Sequence, residues 1–178
     1  MRRTRWAAMV LAVALCWPAA LLAEELLERK LKAAFVYNFA RLTTWPATAF
    51  AGPAMPLETC ILEHDPVAPA LQEAFAGKAV EGRPLAVRRL AGAAGWDSCH
   101  IAYLGAVPPE LARDVLRALA GRRVLTVHEQ GAAQADGVIR LFPADRKLRF
   151  EVNQAAADRA QLRLNARLMA LAVVVKAP

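Results

Sequence analysis

Between Leu57 and His128 the chain alternates strand-like and helix-like patterns, and this alternation narrows the possible folds more than any other feature. Leu57 to Leu62 reads as a strand, and Pro66 to Ala76 as a helix ended near Gly77. Pro84 to Leu90 reads as a second strand. Cys99 to Leu104 is apolar on both faces, as a strand in the middle of a sheet must be. Pro108 to Ala120 is an amphipathic helix: Leu111, Val115 and Leu119 share a face, Arg113, Asp114 and Arg117 turn outward, and Gly121 suits the position after the helix end. Val124 to His128 is a further strand. Gly137 to Phe142 and Lys147 to Val152 predict a hairpin across Pro143 to Arg146. In its second arm Leu148, Phe150 and Val152 face one way, and Lys147, Arg149 and Glu151 the other. Asn153 stands where a helix N-cap belongs, and helical patterns run through Asp158 and from Asn165 to Ala172. The order predicts an α/β three-layer sandwich, with a mixed, mostly parallel sheet of about five to six strands flanked by helices. At 178 residues the chain suits a single domain.

The N-terminus carries a different pattern. Arg2 to Arg5 is positive, Ala7 to Leu15 is apolar, and Pro18 to Ala23 is rich in small residues. Together they read as a signal peptide over residues 1–23, cleaved after about Ala23, and so place residues 24–178 in the periplasm as one soluble α/β domain. The apolar run is short and broken by Pro18, which argues against a membrane span. Beyond it, Glu24 to Thr43 reads as a helix in which Leu27, Leu31, Ala34, Phe35, Asn38 and Leu42 form one face. Val36, Tyr37 and Phe39 point elsewhere, so the helix is either buried on two sides or in contact with a partner. Trp45-Pro46 closes it.

Removing the first 23 residues leaves two cysteines, Cys60 and Cys99. An even count in an exported chain reads as a disulfide, with two buried free thiols as the alternative. Neither belongs to a metal-ligand spacing, and no metal or other cofactor is expected. The formal charge is +7, of which Arg2, Arg3 and Arg5 supply three. The remaining excess is mild, and no basic stripe is interleaved with aromatics, so nucleic acid is not an expected partner. Catalytic patterns are missing as well. Ser98 is the only serine and lies outside any G-x-S-x-G, and Gly77-Lys78 is not part of a P-loop. His64-Asp65 next to Pro66 reads as a helix entry, and His100 and His128 as structural histidines. Binding or regulation therefore outranks catalysis.

The stretch from Leu31 to Arg41, LKAAFVYNFAR, with Trp45-Pro46 behind it, resembles the start of the YfiR family of periplasmic proteins. Further matches follow in order: Cys60-Ile61-Leu62 with Asp65-Pro66, Gly82 to Val87, Cys99-His100-Ile101, Val124 to Val127, Gly137-Val138-Ile139, Leu148 to Asn153, and Leu168 to Val174. The resemblance implies an α/β sandwich that tends to dimerise, and a disulfide between Cys60 and Cys99. It implies a non-enzymatic repressor that binds the periplasmic region of an inner-membrane diguanylate cyclase and lowers cyclic di-GMP, and with it biofilm formation. It also implies sequestration by an OmpA-like outer-membrane lipoprotein. A second disulfide that some members carry near the C-terminal hairpin has no counterpart here. Candidate partner-binding residues are Tyr37, Phe39 and Trp45 from the aromatic helix and Arg149, Glu151 and Asn153 from the hairpin. The alternative is a periplasmic solute-binding or sensor module acting on a histidine kinase or a transporter.

Overall fold

The computed structural model describes residues 3–129 and 137–176. Met1 and Arg2, at the head of the expected signal peptide, lie outside the described residues. The chain opens with α1 (Arg3–Arg41), β1 (Thr43–Thr44) and a 3-10 turn at Ala47–Ala49. Then come β2 (Leu57–Leu62), α2 (Ala68–Phe75), β3 (Ala79–Val80), β4 (Arg83–Leu90), a 3-10 turn at Trp96–Ser98, β5 (Ile101–Leu104), α3 (Pro109–Leu119) and β6 (Leu125–Glu129). The C-terminal part holds β7 (Ile139–Ala144), β8 (Lys147–Asn153), α4 (Gln154–Arg159), β9 (Arg163–Leu164), α5 (Ala166–Leu171) and β10 (Val174–Lys176).

Eight strands form one sheet in the order β10-β8-β7-β6-β5-β2-β4-β3, and β1 pairs separately with β9. The five central strands, β4, β2, β5, β6 and β7, are mutually parallel. The β7/β8 hairpin and the β3/β4 pair are antiparallel, and β10 returns parallel to β8. This is the helix-flanked, mostly parallel α/β sandwich that the alternation predicts. It is wider than expected because β3 and β10 are too short to leave a strand pattern of their own. The hairpin turn is also tighter than expected. Its strands run on through Ala144 and resume at Lys147, leaving Asp145 and Arg146 at φ 52° and 57°. Positive φ at both central residues is what a two-residue hairpin turn following the sheet twist demands.

Strand alternation divides the core in two. Leu57, Ile61, Ile101, Tyr103, Leu125 and Val127 pack with Ala33, Val36 and Phe39 of α1 and Leu71 and Phe75 of α2. Cys60, Ala102 and Leu104 turn to the opposite face, against Trp96 and Ala112, Val115, Leu116 and Leu119 of α3. Cys60 sits inside β2, and Cys99 two residues ahead of β5. Their Cα atoms are 5.9 Å apart, and the sulfurs are joined.

The helix α1 corrects one expectation. Its buried face is Ala33, Val36, Phe39 and Ala40, whereas Leu27 and Leu31 are 69% and 42% exposed. Ala33 and Ala40 are fully buried, and short side chains at those positions let the helix axis approach the sheet closely. The bulkier Leu27, Leu31 and Leu42 are held at the rim or in solvent. Phe35 lies between, half-buried, its ring 5.8 Å from that of Phe150.

Candidate partner-binding surface

The six residues singled out from the sequence do not form one surface. Tyr37 is half-buried on the α2 side of α1, its ring 6.3 Å from Phe75, with the Lys78 ammonium 4.3 Å and the Arg41 guanidinium 5.5 Å from its centroid. Phe39 is 1% exposed and meets the Phe150 ring at 5.1 Å. It is a core residue. Trp45 is likewise buried, and its Nε1–H donates to the carbonyl oxygen of His100 at 3.2 Å. An indole N–H taken from water needs such a partner, so Trp45 serves to latch the segment after α1 onto the sheet.

The hairpin residues divide in the same way. Glu151 is buried and takes two hydrogen bonds from Arg140, at 2.7 and 2.8 Å across the β7/β8 register. Those bonds raise the Arg140 pKa above its usual value. Alternation predicts Glu151 on an outward face, but β10 lies alongside, with Val174 in register with Glu151, and the strand is interior. Asn153 is the N-cap of α4, its Oδ1 accepting from the Ala156 amide at 3.0 Å. Arg149 stays partly exposed. Tyr37, Arg149 and Asn153 each keep some exposed area, Tyr37 on the α2 side of α1 and Arg149 on the face of β8 away from Phe150.

A second cluster lies where folds of this kind usually bind ligands. From β2 the chain first adds β4 on one side and then β5 on the other, so the strand order reverses between β2 and β5. Open parallel sheets bind ligands in the crevice outside the carboxyl ends at such a point. Here the chain fills it. Asp65, 4% exposed, accepts from the Val67 and Ala106 amides, both at 2.8 Å, and so ties the loop after β2 to the loop after β5. Burial raises its pKa, and the two amides oppose that shift. The Tyr103 hydroxyl donates to Glu129, which also receives Lys32 Nζ at 2.8 Å. Lys32 reaches Glu28 as well, at 2.8 Å. Burial would lower the Lys32 pKa, but hydrogen bonds and charge from Glu129 and Glu28 leave it raised, while burial and Glu129 push Tyr103 well above 10.0. A Cβ at Gly105 would fall 2.5 Å from the Tyr103 ring, so only glycine fits beside it. Among the described residues no group of three or more His, Cys, Asp or Glu is placed to hold a metal ion. Sequence reasoning missed this cluster. Its one local signal was a lysine at position 32 between the apolar residues Leu31 and Ala33.

His100 organises the opposite end of the sheet. Its Nδ1 accepts from the Glu58 amide at 3.1 Å, its Nε2 lies 3.2 Å from the Ala49 oxygen, and its ring stacks on Phe50 at 4.4 Å. Nδ1 must be unprotonated to accept, so the neutral Nε2–H form is the one held here. Burial lowers the His100 pKa below 6.5. Stability that depends on the neutral ring is present above pH 6.5 and is lost as pH falls through the lowered folded value. Urea denaturation of the wild type and of His100→Gln across pH 7.5 to 5 measures this contribution. The wild type should lose more stability on acidification than the variant, and parallel pH curves would show that His100 contributes nothing.

Among the described residues no helix is long and apolar enough to cross a membrane. A family model described as YfiR/HmsC-like matches residues 29–173, from the middle of α1 to the residue before β10. No curated protein matches the chain.

Proposed function

The chain belongs to the YfiR/HmsC-like family, and from that premise we propose that it is exported to the periplasm, where it represses an inner-membrane diguanylate cyclase. The family match over residues 29–173 carries this reading, and it begins beyond the proposed cleavage site near Ala23. The Cys60–Cys99 bridge supports it, because structural disulfides persist in oxidising compartments and not in the cytosol. The filled crevice at the strand-order reversal also supports it, since the fold's usual ligand position is taken up by Asp65 and its neighbours.

Repression of this kind is linkage. A protein that binds only the inactive state of a receptor shifts its equilibrium by the difference in affinity between the two states. A hundredfold shift requires about 2.8 kcal/mol of differential binding. Export, cleavage near Ala23, repression of the cyclase and release by an OmpA-like lipoprotein are all parts of the proposal.

Deleting the gene should raise cellular cyclic di-GMP, measured in nucleotide extracts. An unchanged level, with the protein shown to be made in the parent strain, would count against repression. A second reading, a solute-binding module, is favoured by one observation. An open groove of about 590 Å³ is lined by Phe50 and Met55 together with Asp97, Ser98, Arg122 and Arg123. That reading requires a small polar solute to raise the melting temperature, and the repressor reading does not.

A further inference from the structure

The face of α1 that helical spacing selects is the face the fold leaves open. Leu27, Leu31 and Phe35 follow one another along it, with Leu42 just past its end, and none is fully buried. At its C-terminal end the stripe runs into a groove of about 190 Å³ between α1 and α5, where Phe35, Leu42, Leu168 and Leu171 form apolar walls. Leu171 is 64% exposed. An exposed apolar strip of this kind, interrupted by Asn38, marks an interaction surface.

Charge says what the surface accepts. Arg41 and Arg167 stand in the groove lining, no acidic residue lines it, and among the described residues neither guanidinium has a carboxylate partner. We propose that this groove receives an apolar segment of the receptor's periplasmic region that carries carboxylates. Arg41 and Arg167 hold the carboxylates, and Phe35, Leu42 and Leu171 cover the apolar side chains. The assignment rests on the regulatory reading above and adds the chemistry of the partner to it. A second copy docking the same face would set one pair of arginines against another, and like charges across an interface are costly. A lipid surface fits less well, because membrane-lying faces are convex and carry many cations, whereas this site is a groove with two.

The test uses spheroplasts of a strain lacking the gene, which expose periplasmic receptor regions, and labelled mature protein. The variants are Arg41→Glu with Arg167→Glu, and separately Leu171→Glu. All three positions are exposed, so thermal unfolding should match the wild type, and Arg113→Glu on the outer face of α3 serves as a surface control. Both groove variants should bind about tenfold more weakly or worse, and should fail to lower cyclic di-GMP when expressed in the strain. Wild-type binding should weaken as salt rises. Wild-type repression by both variants would overturn the proposal. Equal binding to protein-free anionic liposomes would assign the groove to lipid, and loss of self-association with repression intact would assign it to a second copy. Either result also overturns it. If groove-dependent binding is seen while cyclic di-GMP ignores the protein altogether, the regulatory reading fails and the groove stands. If cyclic di-GMP responds to the wild type and to both groove variants alike, the groove fails alone.

Discussion

Replacing Cys60 and Cys99 together by alanine should lower the unfolding free energy by about 4 kcal/mol. The bridge closes a loop with a sequence separation of 39, and chain entropy released to the unfolded state on its removal accounts for that magnitude. In a domain of this size the melting temperature should fall by roughly 10 °C. The position adds to the effect. The sulfurs lie in the smaller core, with Trp96, Val115 and Leu119, and they fasten β2 to the segment that leads into β5. These are the strands between which the order of the sheet reverses, so their pairing is non-local and gains most from a covalent tie. Calorimetry of the oxidised wild type and the double variant gives the number. A loss under about 1 kcal/mol would mean that the loop between the cysteines is already restrained in the unfolded chain, against the entropic account.

Phe39→Ala should cost about 3–5 kcal/mol, the usual loss for a buried phenylalanine cut to alanine. The ring is 1% exposed and sits between Phe150 at 5.1 Å, tilted by 65°, and Phe35 at 5.8 Å. Truncation removes these aromatic contacts and opens a cavity where α1 lies on the sheet. Phe39→Leu refills most of the volume and should cost about 1.5 kcal/mol or less. The pair of variants separates packing from recognition. A contact residue cut to alanine would leave the melting temperature alone and weaken partner binding. Phe39→Ala is expected to do the reverse at temperatures where it remains folded, and a fully stable Phe39→Ala would place the ring outside the core.

Much of this architecture is legible in the sequence. The run from Ile101 to Leu104 is buried on both sides, as an unbroken apolar strand in a parallel sheet must be. The amphipathic pattern of α3 maps onto buried Val115 and Leu119. Asn153 caps α4 as its place before a helical pattern suggested. The misreadings share a cause, namely contacts that no local pattern encodes. In α1 the large leucines outweigh alanines in a periodicity count, yet packing depth favoured Ala33 and Ala40. In β8 alternation sent Glu151 outward, but β10 returns to pair with that strand, and Arg140 faces Glu151 across the hairpin. Trp45 reads as an exposed aromatic until the His100 carbonyl is brought to its Nε1 from 55 positions away. The cluster of Lys32, Asp65, Tyr103 and Glu129 draws on four separate elements or loops, and only the topology assembles it.

Of the six candidates, Tyr37, Arg149 and Asn153 keep exposed area, Asn153 with its side chain committed to the α4 cap, while Phe39, Trp45 and Glu151 are buried in the fold. The partner surface proposed in their place is the apolar strip of α1 with the arginine-lined groove at its end.

The most direct measurement is cyclic di-GMP in the deletion strain carrying either the full chain or a version that starts at Glu24 behind an initiating methionine. The account predicts that the full chain restores a low level, and that the version confined to the cytosol leaves the level high although it accumulates. Restoration by the cytosolic version, or no response to either, would contradict it.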